Sequence, residues 1–518
     1  MRGCRIAQGG ECTPGREALP AFSGFRISTD APYGRSLMRT VFSAAYLLLA
    51  VFLAVTERGQ ASGGGGLLGA PKDVPPMRAD AIGPELGGHF MLALPPHGTG
   101  TRQKVIDAQV RRWAQWGFTF MVFHCDAYER GHYRTMMRRY YDACAKAGIR
   151  AMASWGWFYW ADPGPKHDPL YPARAWIPQI VRDTHDHPAQ FRIDGVPVYS
   201  AFNCPHYMEE LIAPLLAEDG LTIRMWPHMY YLLPESGDKL HCTDRSEVIA
   251  HMFDSFPWLS GLANFSGDMT AEQIVQLNRI MTRTAAARGR LSMAGVTPFY
   301  GSHALRDMGG FRGLEKQWRG ILEDRPNAVW WVTMNDWKEL TYIDDLPETP
   351  VWRPEWTAHD IATLLDHSGY RKFCEPFQQA YLEGREVRIE RDRLFLCHQL
   401  HPARTRGEPG SPAHMFGGRV WRTQLPDRIF VAAHLTEPAR IRIDDTLSVE
   451  FPAGVAHFDV PLRVGKPPRV SLLRAGRVVA EGVGPLPITE SPRPGAWNYL
   501  AVELELRRDE ADREPEMR

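Results

Sequence analysis

The segment WVTMNDWKEL, Trp331 to Leu340, ends a run of bulky apolar residues on Asn335-Asp336 and places Glu339 three residues further on. A second acidic pair follows at Asp344-Asp345. Two carboxyl groups can share the work of breaking a glycosidic bond. One protonates the leaving oxygen, and the other activates water or attacks the anomeric carbon. In that division Glu339 is the acid and Asp336 the base, and Asp126 is a competing partner for Asp336 from across the fold. The same spacing also arises at a helix start, with Asp336 as the cap and Glu339 as its capping-box partner. Spacing alone leaves both readings open.

The elements that must position these groups are legible as eight apolar runs: 88–94, 118–126, 149–157, 196–203, 221–231, 259–266, 290–301 and 328–336. Helical patterns separate them, and several of these end in Gly shortly before the next run, as helix C-caps do. Runs and helices in that number and order predict a (β/α)8 TIM barrel over residues 85–385. An open doubly wound sheet is the competing topology, but no Gly-rich phosphate loop follows the first run. In a barrel the carboxyl ends of the strands converge on one mouth. Reading those ends in order gives His89, His124, Asp126, Trp155, Trp157, Tyr159, Asn203, His228, Asn264, Tyr300, His303, Asn335, Asp336 and Glu339. Of these, Asp126, His124, Trp155, Trp157, Asn203, His228, Tyr300, His303 and Asn335, with Trp337, are the expected substrate contacts. Sixteen Trp and 17 Tyr supply flat faces suited to sugar rings, although buried core is the plainer use for most of them.

Composition narrows the alternatives. Sixty basic and 60 acidic residues leave no electrostatic footprint for nucleic acid. No GxSxG, P-loop or HExxH motif is present, so serine-hydrolase, nucleotide-hydrolase and gluzincin chemistry lose support. Gly64, Gly66 and Gly69 formally spell GxGxxG, but no strand precedes them. No cofactor and no metal are expected. The eight cysteines show no zinc spacing, and HDH at 185–187 lacks an evident third ligand. Residues 1–62 read as a leader and export signal with Met38 as the true start, and 63–84 as a flexible linker. The protein is therefore expected to be secreted, periplasmic or at the cell surface. No stable membrane insertion is expected unless the signal stays uncleaved as an anchor. After a linker at 386–419, short alternating strands predict a C-terminal all-β, sandwich-like domain over 420–508, followed by a charged tail at 509–518.

Several stretches together resemble glycoside hydrolase family 71, the α-1,3-glucanases or mutanases. HFMLAL at 89–94 is similar to the family's AHFMVGN strand, and HPAQFRIDGVPVYSAFN at 187–203 to its HPAQ…DGKP…STF segment. MAGVTPFYGSH at 293–303 is similar to MPVSPWFYTH, and WVTMNDWKELTYI at 331–343 to IITWNDYGESHYI. The resemblance implies that Asp336 and Glu339 are the paired carboxylates and that the partner is a polysaccharide, an α-1,3-glucan cleaved internally with inversion. The chain departs from the family pattern at Lys338, where the family has Gly, and at Leu340-Thr341, where it has Ser-His. NDWKE also resembles the NEWxE motif of family 99-like glycosidases acting on mannose-rich glycans. A non-catalytic carbohydrate-binding barrel is the remaining alternative.

Overall fold

The computed structural model describes Leu68 and residues 82–92, 101–125, 128, 131–156, 171–202, 208–229, 246–256, 258–265, 267, 269–301, 305–337, 339–346, 364–402, 425–490 and 498–508. The expected leader and charged tail lie outside them.

Strands and helices alternate: β1 (Glu85–Met91), α1 (Gln103–Gln115), β2 (Phe120–Cys125), α2 (Gly131–Ala147), β3 (Arg150–Trp155), α3 (Tyr171–Thr184) and β4 (Val196–Ala201). A π-helical turn (Met208–Ile212) runs into α4 (Ala213–Glu218). The fifth apolar run is split by Trp226-Pro227 into β5 (Arg224–Met225) and β6 (His228–Met229). Then come α5 (Ser246–Ser255), β7 (Gly261–Asn264), α6 (Ala271–Ala286), β8 (Leu291–Val296), α7 (Arg312–Asp324), β9 (Ala328–Trp331) and α8 (Ser368–Glu383). Helices α1, α2 and α6 hand over to their strands through Gly117, Gly148 and Gly289, all at positive φ, where a side chain would be strained.

The strands form one parallel sheet in the order β4-β3-β2-β1-β9-β8-β7-β6, with β5 paired to β4. The segment 224–229 bonds on both sides. Trp226 N donates to Tyr199 O at 2.8 Å, and Ala263 N donates to Pro227 O at 2.9 Å. The result is a mixed α/β fold built on a curled sheet. Its two faces differ as period 2 requires. Phe90, Phe123, Ala153 and Val329 pack with Val110, Trp113, Met136 and Tyr140 of the helices. Phe120, Val122, Met152, Val198, Met293 and Trp330 pack in a cluster free of helix residues, so the sheet's concave face closes on itself. A Cβ on Gly87 would lie 2.5 Å from the Phe120 ring, which fills that space instead.

Two antiparallel sheets follow. One has the order β14 (Gly454–Pro461), β11 (Arg428–Leu435), β10 (Arg393–Gln399), β17 (Tyr499–Glu503). The other runs β13 (Thr446–Phe451), β12 (Ala439–Ile443), β15 (Arg469–Arg474), β16 (Arg477–Val483), β18 (Arg507–Arg508). Leu396, Val431, Ile441 and Leu472 of the two sheets share one apolar core. Strand β10 lies inside the stretch read as the 386–419 linker. It is an inner strand because RLFLCHQ is buried at every position. Leu68 likewise departs from the flexible-linker expectation, being buried and paired with Ile223 through two 3.1 Å backbone bonds.

The β module grips the α/β part through Arg312–Asp459 (2.7 Å), His457–Glu315 (2.5 Å) and the Tyr499 hydroxyl, which donates to Asp307 at 3.1 Å. Residues Gly64–Arg518 accordingly form one compact unit. Cys144, Cys374 and Cys397 are buried free thiols. Among the described residues no helix is long and apolar enough to cross a membrane.

Candidate active site

Strand β9 stops at Trp331 and the chain folds into a tight loop that returns on itself. Thr333 N donates to Thr341 O at 3.1 Å, and the two threonine hydroxyls lie 2.9 Å apart. Leu340, at φ +58°, makes the reversal. The loop is pinned to its neighbours by backbone bonds. Met334 N donates to His89 O (2.8 Å), and Gly301 N donates to Glu339 O (2.8 Å). The Asn335 side chain spends both ends of its amide on Met91, accepting from its N–H at 2.8 Å and donating to its carbonyl at 3.0 Å. That use explains why a strand should end on Asn here. Asn335 is fully buried and positions the loop.

The two carboxylates sit on this frame. Asp336 N donates to the Thr333 hydroxyl at 2.8 Å, and Asp336 Oδ1 accepts from Glu339 N at 3.1 Å. That i to i+3 bond is what a cap would make, yet residues 333–337 and 339–346 form turns and irregular chain, and among the described residues the next helix is α8, from Ser368. The helix-start reading is therefore set aside. Asp336 is 8% exposed and Glu339 is half-buried. Tyr300, from a short antiparallel strand pair after β8, directs its hydroxyl at Glu339 Oε1 over a long 3.4 Å. Trp337 is buried against Tyr342, with ring centroids 4.7 Å apart. Tyr342 stacks on His367 at 4.1 Å, and its hydroxyl accepts from Asn498 at 3.0 Å. Behind the loop, Asp344 accepts from Gln109 (2.6 Å) and Trp113 (3.3 Å) of α1, and burial pushes its carboxyl up to about 6.

The remaining expected residues separate by strand parity. His124 of β2 and His228 of β6 point to the concave face, with ring centroids 6.0 Å apart. Both are buried, and His228 has no exposure at all. Trp155 points the other way, into the core shared with the helices, 5.8 Å from the Tyr199 ring. Its neighbour Ser154 takes the concave face, as adjacent strand residues must alternate. Asp126, Trp157, Tyr159, Asn203 and His303 lie outside the described residues. Asn264 is buried and donates to Asn278 at 2.7 Å, so it serves the core.

His89 was named among the strand ends but given no role, and it is the centre of a group. Its ring lies 5.2 Å from that of His124 and 5.4 Å from that of His228. Burial holds its pKa well below the ordinary histidine value, and the two neighbouring imidazoles add to the effect. The β1/β2 register, which the sequence does not announce, sets His124 opposite Met91, two residues from His89, and so brings both rings to one face.

Two carboxylates held on one rigid loop at the carboxyl end of a parallel strand, with a tyrosine hydroxyl at one of them, can deliver and remove protons at an adjacent bond. The loop's sequence also lies within a match to known proteins. The profile of glycosyl hydrolase family 71 matches residues 126–513. The glucan endo-1,3-alpha-glucosidase agn1 of Schizosaccharomyces pombe is 24% identical over 208 residues, 39% of this chain and 47% of the relative. The chain thus aligns with about half the length of that relative. Among solved structures, the GH99 endo-alpha-mannosidase from Bacteroides thetaiotaomicron is 13% identical, covering 58% of this chain and 98% of its own, with a TM-score of 0.41. A glycosyl hydrolase family 2 member from Bacteroides cellulosilyticus is 11% identical, covering 79% and 48%, also at 0.41. With most of its length matched by the one family profile, this glycoside hydrolase belongs to glycosyl hydrolase family 71.

Proposed function

We propose that this chain hydrolyses α-1,3-glucan internally, with Glu339 as general acid and Asp336 as general base. The observation that carries the reading is the shared loop. One short turn holds both carboxylates at the strand's carboxyl end, and the backbone bond from Glu339 to Asp336 fixes their relation. Glu339 gives its proton to the glycosidic oxygen as the bond to the anomeric carbon breaks. Asp336 takes a proton from the water whose oxygen bonds to that carbon from the opposite face, so the configuration inverts. The α-1,3 linkage is supported by the relative from S. pombe, a glucan endo-1,3-alpha-glucosidase.

The framing of the fold follows the same reading. The curled sheet is taken as a closed (β/α)8 barrel, supported by the bonding of 224–229 on both edges. The two antiparallel sheets with their common core are taken as a β-sandwich. The polysaccharide lies outside the cell, in keeping with the export signal read after Met38.

The test is release of reducing ends from insoluble α-1,3-glucan, α-mannan and β-1,3-glucan, with NMR of the first product. Release from α-1,3-glucan, with a β-configured new reducing end, is expected. Release from mannan alone, binding without release, or an α-configured first product would each contradict the reading.

A further inference from the structure

We propose that His89, His124 and His228 form a binding site for a divalent transition-metal ion of the zinc class, set on the concave face beneath the carboxylate loop. Each imidazole can place one nitrogen so that all three lie within 4.8 Å of one another, and all three residues are buried. Three imidazoles with no carboxylate among them suit zinc, cobalt or nickel and not magnesium or calcium, which take oxygen ligands. Around one zinc at 2.0–2.1 Å, tetrahedral ligand atoms sit about 3.4 Å apart. Ring rotations on the order of 1 Å would close the present spread to that figure.

Three further observations point to a ligand here. Both ring nitrogens of His89, which is 1% exposed, lack a hydrogen-bond partner, as does His228 Nδ1. A buried polar atom left unpaired is destabilising, and an ion is one recognised way to satisfy it. Burial also lowers the pKa of both His89 and His228, so each offers a neutral lone pair near neutral pH. The Ser154 hydroxyl, finally, lies 3.3 Å from His124 Nδ1 and 3.4 Å from His228 Nε2. Accepting an N–H from both rings would fix the tautomers that leave the lone pair on His228 Nδ1 and His124 Nε2, as outer-shell partners of metal-bound histidines do.

Phe202, Phe265 and Trp330 surround the rings and keep the site dry. The three histidines come from β1, β2 and β6, well apart in the chain, so a bound ion would brace the sheet directly under β9. His89 O already accepts the backbone N–H of Met334. No step of hydrolysis is assigned to the ion.

The test uses the full chain stripped with a chelator and then titrated with zinc or cobalt(II). The readouts are metal per chain by mass spectrometry, thermal midpoint and the cobalt visible spectrum. One equivalent, a raised midpoint and intense tetrahedral cobalt bands are expected. Affinity should fall at least about 100-fold in His89→Gln and about 10–100-fold in Ser154→Ala. His185→Gln, in the exposed His185–Asp186 pair, should change nothing. Absence of stoichiometric metal, octahedral-type weak cobalt bands, or binding lost in His185→Gln but kept in His89→Gln would overturn the proposal. If His89→Gln fails to fold, Ser154→Ala and the wild-type cobalt spectrum still decide. None of these readouts depends on hydrolysis.

Discussion

The backbone N–H of Glu339 donates to the Oδ1 of Asp336 at 3.1 Å, within a loop whose described residues form no helix. The bond makes the two carboxylates parts of one rigid turn, so neither can shift without moving the other. Errors near 1 Å in placing reacting groups cost about 100-fold in rate. The contacts that hold this turn are therefore expected to matter for turnover beyond what they add to stability.

Asn335 is the first such contact. Asn335→Ala removes both bonds to Met91 and leaves a half-buried backbone N–H and carbonyl with one partner fewer. A stability loss of about 2–4 kcal/mol is expected by urea unfolding, with kcat down about 10–100-fold in the folded fraction. Stability lost with kcat intact would mean that Asn335 serves the sheet alone.

Tyr342 links the loop to the β module. Its hydroxyl donates to Leu365 O at 2.6 Å and accepts from Leu365 N and Asn498 Nδ2, each at 3.0 Å. Tyr342→Phe strands those buried partners and should cost about 1–3 kcal/mol. The measurement is thermal unfolding beside kcat at a temperature where the variant is folded. An unchanged midpoint would show that the module does not buttress the loop through this hydroxyl.

Asp344 gives a pH dependence with a definite sign. Burial raises its folded carboxyl pKa from 3.8 to about 6. The folded state therefore keeps this proton at pH values where the unfolded chain has lost it. The contribution is fully present below 3.8 and is lost as pH rises through about 6. The loss is on the order of 3 kcal/mol. Asp344→Asn carries no titrating group, so its stability relative to wild type should improve by about that amount from pH 4 to pH 7. A difference that stays constant across that range would contradict the assignment.

Much of the α/β part was legible because buried parallel strands read as apolar runs, and each of the eight runs holds a strand or, at Trp226-Pro227, a broken one. Parity within the strands was harder to read. Trp155 looked like a sugar platform, but its neighbour Ser154 pairs in register with His124, and that sends Trp155 to the helices. β10 was hidden by the Pro/Gly/His-rich sequence after it, although RLFLCHQ is itself an apolar run. Asn335 and the histidine group were illegible as a unit, because their partners lie far away in sequence, as His89 does from His228. Asp336 and Glu339 were legible only as a pair at a suggestive spacing. The turn that removes the helix-cap reading depends on Thr341 returning to Thr333, which no local pattern announces.

The most direct measurement is reducing-end release from α-1,3-glucan by the wild type, Asp336→Asn and Glu339→Gln, each shown to be folded by its thermal midpoint. The account predicts release by the wild type and a loss of about 100- to 10,000-fold in each variant. Either variant retaining wild-type release while folded would contradict the assignment of the acid and base to this loop.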